Sequence, residues 1–366
     1  MSDDVVCNSG MVPINLNSKE AQQLVEKLFG LSVIELKSLV SYDDKNYHVT
    51  VSSSENPLIP DLWKHGYVLK IMNSVDSRNI PFVEAQNELM IFLNENNVST
   101  PRPVKNVDGS YHSILEVSLE EGGSVSYVVR LLTYQPGLLL KDVKPSSALF
   151  YSIGLFAANL DLKMKEFSHE GFSSRRTSWS LECLPQVRSH LFVLKDEDKL
   201  GIVNEIIEQF EENVISRLET LQKGPIHGDL NEQNIIVEKT ESDYEMCSII
   251  DFGDSHVSAY LFELSILMCY LLMLTQSADE GRDVVAGYSY LLKLPEDELK
   301  LLKVCICGRL VQSLVLGLYF YSKNPSNTYI LCTQEEGWKL LKKLWQIDSD
   351  TLHTLWCSGI NSIREN

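Results

Sequence analysis

Apolar residues at Ala21, Leu24, Val25 and Leu28 recur at helical spacing within residues 18–29, with Ser18 as the N-cap. Beyond Gly30 the pattern shortens. Residues 33–39, 47–51 and 67–71 have strand character, and the polar, Pro-containing stretches between them fit antiparallel hairpins. Residues 82–93 predict a helix that stops before the turn at 96–103, and strands follow at 113–117 and 127–132. Thr133-Tyr134-Gln135-Pro136-Gly137 reads as a hinge, because Pro and Gly end the strand before it.

After the hinge the period changes. Residues 149–160, 205–221, 260–274 and 301–316 are helical in pattern, with short strands at 234–238 and 247–250 between them. The charged run 195–199 reads as a solvated helix face, and neither an internal repeat nor a low-complexity tract is visible. A mostly β first third before a mostly helical remainder predicts an α+β, two-lobed fold. Its parts are an irregular tail at 1–17, a small antiparallel-sheet lobe with a helix at 18–132, the hinge at 133–137 and a larger helical lobe at 138–366, with a cleft at the hinge.

Composition narrows the function. With 44% hydrophobic and 22% charged residues over 366 positions, the chain can build sizeable cores and is neither a stapled mini-domain nor wholly disordered. Its 32 Lys and Arg against 50 Asp and Glu leave a net charge of −18, which repels nucleic-acid phosphate and anionic lipid and suits small cationic substrates. Met1-Ser2-Asp3-Asp4 has no signal-peptide or transit-peptide character. The eight Cys are dispersed without a C-x-x-C pair and read as reduced, buried thiols. The most apolar stretch, 264–274, is shorter than the roughly 20 residues of a membrane span and reads as a buried helix. A cytoplasmic protein is expected, without nucleic-acid, membrane or protein partners.

The chemistry concentrates in His227-Gly228-Asp229-Leu230-Asn231-Glu232-Gln233-Asn234, followed after a strand by Asp251-Phe252-Gly253-Asp254. Phosphoryl transfer uses this spacing: one Asp accepts the proton of the attacking hydroxyl, an Asn five residues on helps hold magnesium, and the Asp of a later D-F-G holds magnesium on the nucleotide phosphates. Asp229, Asn234 and Asp251 would fill those roles, with His227 structural. H-G-D-x-x-x-x-N alone should arise by chance in roughly one chain of this length in several hundred.

Such a site also needs a strand lysine on the phosphates, steadied by a carboxylate. Lys70 in Tyr67-Val68-Leu69-Lys70-Ile71 is that lysine, with Glu84 as its expected partner and Glu88 as the alternative. No G-x-G-x-x-G precedes Lys70, so the turn at 41–47 is expected to present its amides to phosphate, and Asp43 within it is a further candidate for the substrate. No P-loop signature occurs. Gly253-Asp254-Ser255-His256 runs almost at once into the next helix, leaving no room for a peptide-positioning segment, so the acceptor is expected to be a small molecule. Asp254 and Glu263 are candidates for its ammonium group, with a structural anchor as the other reading of Glu263. Arg309 and Gln312, among apolar neighbours, suit anchoring of a buried carboxylate; Arg175 and Arg176 fit a solvated loop.

These motifs resemble the aminoglycoside phosphotransferase-type kinases, the small-molecule branch of the protein-kinase-like fold, over about residues 20–345. The resemblance is carried by Ser41-Tyr42-Asp43-Asp44 before an Asn-aromatic-His-Val strand, by the Lys70 strand, by Val129-Arg130-Leu131-Leu132-Thr133-Tyr134 before Pro136-Gly137, and by Asp251-Phe252-Gly253-Asp254. It is strongest to those members that act on 5-hydroxy-L-lysine. It implies transfer of the γ-phosphoryl of GTP, with ATP as the alternative donor, to that hydroxyl in the presence of Mg2+. It further implies that Lys70 and Glu84 orient the phosphates and that the backbone from Leu131 to Tyr134, Leu132 and Tyr134 included, receives the purine. Other amino alcohols (choline, ethanolamine, homoserine, an aminoglycoside) and a non-catalytic nucleotide-binding scaffold stay open as alternatives.

Overall fold

The structure is a computed structural model describing residues 11–119, 122–173 and 175–364. The expected tail therefore lies partly outside the described residues, as do Cys7 and residues 1–10 generally. The described chain divides into two compact units: residues 11–136 with His169–Gly171, and Gly137–Ser168 with residues from Phe172 onward.

The first unit opens with α1 (Ser18–Phe29), capped by Asn17 and not by Ser18: the Asn17 side chain accepts the N–H groups of Lys19 and Glu20, and Glu20 returns the bond to the Asn17 N–H. Then come β1 (Leu31–Leu39), β2 (Lys45–Ser54), β3 (Tyr67–Ile71), α2 (Ile80–Glu95), β4 (Pro103–Val104), β5 (Ser113–Ser118) and β6 (Ser124–Thr133). Among the described residues these strands form one antiparallel sheet in the order β1-β2-β3-β6-β4, with β5 also paired to β6. Period-two alternation sorts its faces. Tyr67, Leu69 and Ile71 of β3 pack with Ala21, Val25 and Phe29 of α1, whereas Met72 and Val128 meet Val83 of α2 on the other side. Lys70 belongs to the α2 side and faces Arg130 across the β3–β6 ladder.

The second unit contains β7 (Leu138–Leu139), α3 (Ser147–Lys165), α4 (Glu197–Asn213), β8 (Lys223–Ile226), β9 (Ile235–Lys239), β10 (Tyr244–Ile249), β11 (His256–Ala259), α5 (Tyr260–Thr275), α6 (Gly281–Leu291), α7 (Glu296–Leu299), α8 (Leu302–Lys323), α9 (Gln334–Gln346) and α10 (Ser349–Arg364). The expected helix at 205–221 begins earlier, because Asp196 caps Lys199, and ends at Asn213, after which 3-10 turns run from Ile215 to Thr220. The run 195–199 is thus a cap and first turn.

The core of this unit is built on α5, buried from Tyr260 through Met273, and α8, buried from Leu302 through Gly317. Helix α8 is long and apolar enough to cross a membrane, yet most of its apolar window is buried inside the fold. Helices α3 and α6 meet at glycines: a Cβ on Gly154 would stand 2.1 Å from the Val284 carbonyl, and one on Gly287 2.0 Å from that of Tyr151. Two small antiparallel ladders, β10-β9-β7 and β11-β8, frame the loops that carry the motifs.

Candidate active site

The His227–Asn234 loop joins β8 to β9, and the Asp251 turn joins β10 to β11. Because β8 pairs with β11, with Ile226 opposite His256, the two loops leave the same ladder side by side. Gly228 makes their approach feasible: at φ +79° it occupies the left-handed region, and a Cβ there would come within 2.5 Å of the Asp254 carbonyl.

Within the loop, Asn231 Oδ1 accepts the N–H groups of Gln233 (2.8 Å) and Asn234 (3.1 Å), a local turn that folds the chain back on Asp229. The Asp229 carboxylate is held from both sides. Its Oδ2 accepts Asn231 Nδ2 (2.8 Å) and Asn234 Nδ2 (2.9 Å), and its Oδ1 accepts Arg309 Nη2 from α8 (3.0 Å). Arg309 is almost wholly buried and is itself fixed, donating Nη1 to the Trp179 carbonyl (2.9 Å) and to Gln312 Oε1 (3.0 Å). Gln312 in turn donates to the carbonyls of Ser178 and Ser180. The carboxylate anchored by Arg309 is therefore Asp229, whose side chain keeps 23% of its surface exposed.

Asp251 is exposed at φ +65°, and its Oδ1 accepts the Gly253 N–H (3.3 Å). Arg175, expected in a solvated loop, is buried and donates Nη2 to the Gly253 carbonyl (2.7 Å), bracing this turn. Arg176 pairs with Glu182. Asp254 is partly buried; burial and the nearby Asp229 carboxylate push its pKa up to about 7 against the pull of Arg175 and Arg309.

Glu263 departs from its expected part as an acceptor ligand. It is fully buried at the start of α5, and its carboxylate accepts the backbone N–H groups of His227 and Gly228, so it anchors the loop from behind. Burial, the dominant influence, pushes its carboxyl up to about 8 although both N–H donors favour the anion. His227 is buried too: its Nε2 lies 3.1 Å from the Ile250 carbonyl, its ring meets Phe252, and burial lowers its pKa. Glu232, which the motif reading passed over as a variable position, is buried in the same loop with Oε2 lacking a hydrogen-bond partner, and burial pushes it up to about 7.

In the first unit the expected lysine pairing is corrected. Lys70 Nζ lies 2.8 Å from Asp44 Oδ2 of the β1–β2 turn, with both side chains nearly buried. Glu84 and Glu88 are on the exposed face of α2, and Glu88 approaches His169. The inward face of α2 offers amides, Gln86 and Asn87, which accept Arg130 Nη2 (2.5 Å) and Nη1 (3.3 Å). The turn at 41–47, expected to present amides, brings a carboxylate to Lys70. Ser41 Oγ closes this turn on the Asp44 carbonyl (2.5 Å), and Asp43 Oδ2 lies 3.4 Å from Asn73 Nδ2, within the same unit as Lys70. The segment expected to receive the purine runs off the end of β6. Leu132 sits inside the sheet between Val68 of β3 and Pro103 of β4. The Tyr134 N–H donates to the Gly66 carbonyl (3.0 Å), and its carbonyl accepts Trp63 Nε1 (2.8 Å).

For a hard divalent cation the expected donors are Asn234 and Asp251. Asn234 spends its Nδ2 on the Asp229 carbonyl and carboxylate, which leaves its Oδ1 as the ligating atom, and Asp251 adds an exposed carboxylate. One carboxylate and one amide oxygen fit magnesium, which keeps waters and nucleotide phosphates as its remaining ligands. Among the described residues no group of three or more His, Cys, Asp or Glu could hold a metal alone.

Residues 40–300 match the model of the phosphotransferase enzyme family. Hydroxylysine kinase of Xenopus laevis is 34% identical over 365 residues, covering 95% of this chain and 94% of that protein. Among solved structures, an amicoumacin kinase in complex with AMP-PNP, Ca2+ and Ami aligns at a TM-score of 0.65 and 14% identity, covering 92% of this chain and 97% of the other. The GDP complex of wild-type aminoglycoside 2'-phosphotransferase-IIIa aligns at 0.58 and 17% identity, covering 90% and 98%. The chain belongs to the phosphotransferase enzyme family, has its kinase-like fold, and is a small-molecule kinase with an alcohol as acceptor.

Proposed function

We propose that this member of the phosphotransferase family transfers the γ-phosphoryl of GTP to the hydroxyl of 5-hydroxy-L-lysine, giving 5-phosphohydroxy-L-lysine and GDP. The observation that carries the reading is the grip on Asp229, fixed through both oxygens yet still part-exposed, beside likeness to a hydroxylysine kinase along almost the whole chain. The acceptor oxygen attacks the γ-phosphorus as the bond to the β–γ bridging oxygen breaks. The hydroxyl proton passes to Asp229, and the nucleoside diphosphate leaves. Asn234 and Asp251 hold Mg2+, which neutralises phosphate charge when bound, and Lys70 orients the phosphates. Asp254, crowded by the Asp229 carboxylate, receives the ammonium group vicinal to the reacting hydroxyl, a cation that relieves the crowding. GTP is named as the donor from the resemblance to kinases that act on 5-hydroxy-L-lysine; a GDP complex and an AMP-PNP complex both stand among the structural relatives, so ATP is the alternative donor.

Nucleoside diphosphate release is the test, with GTP and ATP offered separately against hydroxylysine, lysine, choline, ethanolamine and homoserine. Hydroxylysine-dependent GDP release, absent with lysine, supports the reading. Turnover on a different alcohol replaces the acceptor, and faster turnover with ATP replaces the donor. Asp229→Asn should lower turnover by about 10²–10⁴-fold while nucleotide affinity is retained; near-normal turnover removes Asp229 from its role.

A further inference from the structure

Lys70 takes its carboxylate from a turn of its own sheet. Asp44 precedes β2 by one residue, and Asn73 follows β3 by two, so the β2–β3 pairing, with Lys45 opposite Ile71, brings them together. Asp44 Oδ2 meets Lys70 Nζ at 2.8 Å, and Asp44 Oδ1 accepts the Asn73 backbone N–H at 2.8 Å, with Asn73 Nδ2 at 3.3 Å. Asn73 is buried and fixed in turn: its Oδ1 accepts the N–H groups of Val75 and Asp76, and its Nδ2 reaches Asp76 Oδ2 (2.9 Å). The carboxylate is thus locked in place before it meets the lysine.

In kinases where the corresponding carboxylate comes from a helix, movement of that helix breaks the pair and switches activity. Here α2 presents Gln86 and Asn87 to Arg130, and its Glu84 and Glu88 face outward. We propose that Asp44, held by Asn73, is the positioning residue that orients Lys70 toward the nucleotide phosphates, in place of a helix carboxylate. The lysine is then set by the sheet and does not depend on where α2 stands. This rests on the reading of Lys70 as a phosphate contact.

The experiment titrates a non-hydrolysable GTP or ATP analogue into wild type, Lys70→Met, Asp44→Asn, Asp44→Glu, Glu84→Gln and the Lys70→Met/Asp44→Asn double variant, so no acceptor is needed. Asp44→Asn should weaken nucleotide binding by about ten- to a hundredfold, as misplacement of a positioned group does. Asp44→Glu should recover part of the loss, Glu84→Gln should lose nothing, and the double variant should bind no worse than Lys70→Met alone, since both changes act through one ammonium. Full affinity or tighter binding in Asp44→Asn, multiplied losses in the double variant, or a loss in Glu84→Gln equal to that of Asp44→Asn overturns the proposal. Undiminished binding by Lys70→Met removes the phosphate reading itself, a separate failure. Should Asp44→Asn not fold, Asn73→Ala, which keeps the ion pair and the backbone N–H on Asp44 Oδ1 but removes the Nδ2 contact and the side-chain bonds that fix this turn, must show the weakened binding, and wild-type affinity there overturns the proposal.

Discussion

Replacing Arg309 by methionine keeps most of the side chain's bulk in α8 and removes its fork of donors. Three acceptors lose their partner: Asp229 Oδ1 (3.0 Å), the Trp179 carbonyl (2.9 Å) and Gln312 Oε1 (3.0 Å). Breaking a buried ion pair from one side typically costs about 3–5 kcal/mol, and each stranded neutral acceptor about 1–3. The Asp229 side chain is 23% exposed, so water recovers much of its loss, and methionine no longer carries the desolvation cost of a buried guanidinium; of the gross loss a net destabilisation of about 3 kcal/mol is expected, roughly 6–12 °C in Tm. Asp229 keeps its Oδ2 bonds to Asn231 and Asn234, so it is loosened and not released. Turnover should fall about ten- to a hundredfold, less than for Asp229→Asn, with nucleotide KM nearly unchanged. Arg309→Lys restores the charge but not the fork and should fall between. Initial rates with varied nucleotide, beside a thermal melt, read both effects. A lower Tm with kcat within twofold of wild type would refute the positioning argument and leave Arg309 a stability residue.

Other outcomes follow from the same geometry. The Glu263 carboxyl, raised from 4.5 to about 8, contributes stability that is complete below about pH 4.5 and lost as pH rises to about 8. The Tm gap between wild type and Glu263→Gln should therefore narrow from pH 5 to pH 8, and a widening gap contradicts the sign. Asp251→Asn should raise the Mg2+ concentration for half-maximal rate, on the order of tenfold, in a metal titration at saturating nucleotide; an unchanged midpoint removes it as a ligand. Gly154→Ala, forced against the Val284 carbonyl, should destabilise by about 1–3 kcal/mol, whereas Gly201→Ala, in open space on α4, should gain about 0.5–1 kcal/mol, both read by chemical unfolding.

Local signals gave the elements well where side-chain period decides. β3 spans Tyr67–Ile71 as the alternation predicts, and α5 and α8 lie where long apolar runs put them. The loop residues at fixed spacing, Asp229 and Asn234, meet because a short Asx turn is itself local. Contacts made over long sequence separations were not legible. Arg309 reaches Asp229 across 80 positions, and nothing in its neighbourhood says which carboxylate it anchors. Arg175 reads as polar loop until Gly253 is beside it, 78 positions away. Glu84 had the right spacing for Lys70, but helix phase turned it outward and left Gln86 and Asn87 facing the sheet. The start of α4 was missed because Asp196 and the charged residues after it looked like surface, although such residues are what a helix N-terminus selects.

Asp251 stands at φ +65°, a conformation that glycine adopts freely and that costs other residues about 1–2 kcal/mol. Any library ranked on thermal survival will therefore enrich glycine there and discard a carboxylate the proposed chemistry needs. A stability map and an activity map of this protein should diverge most sharply at that position, so their disagreement is itself a way to find working residues without knowing the substrate.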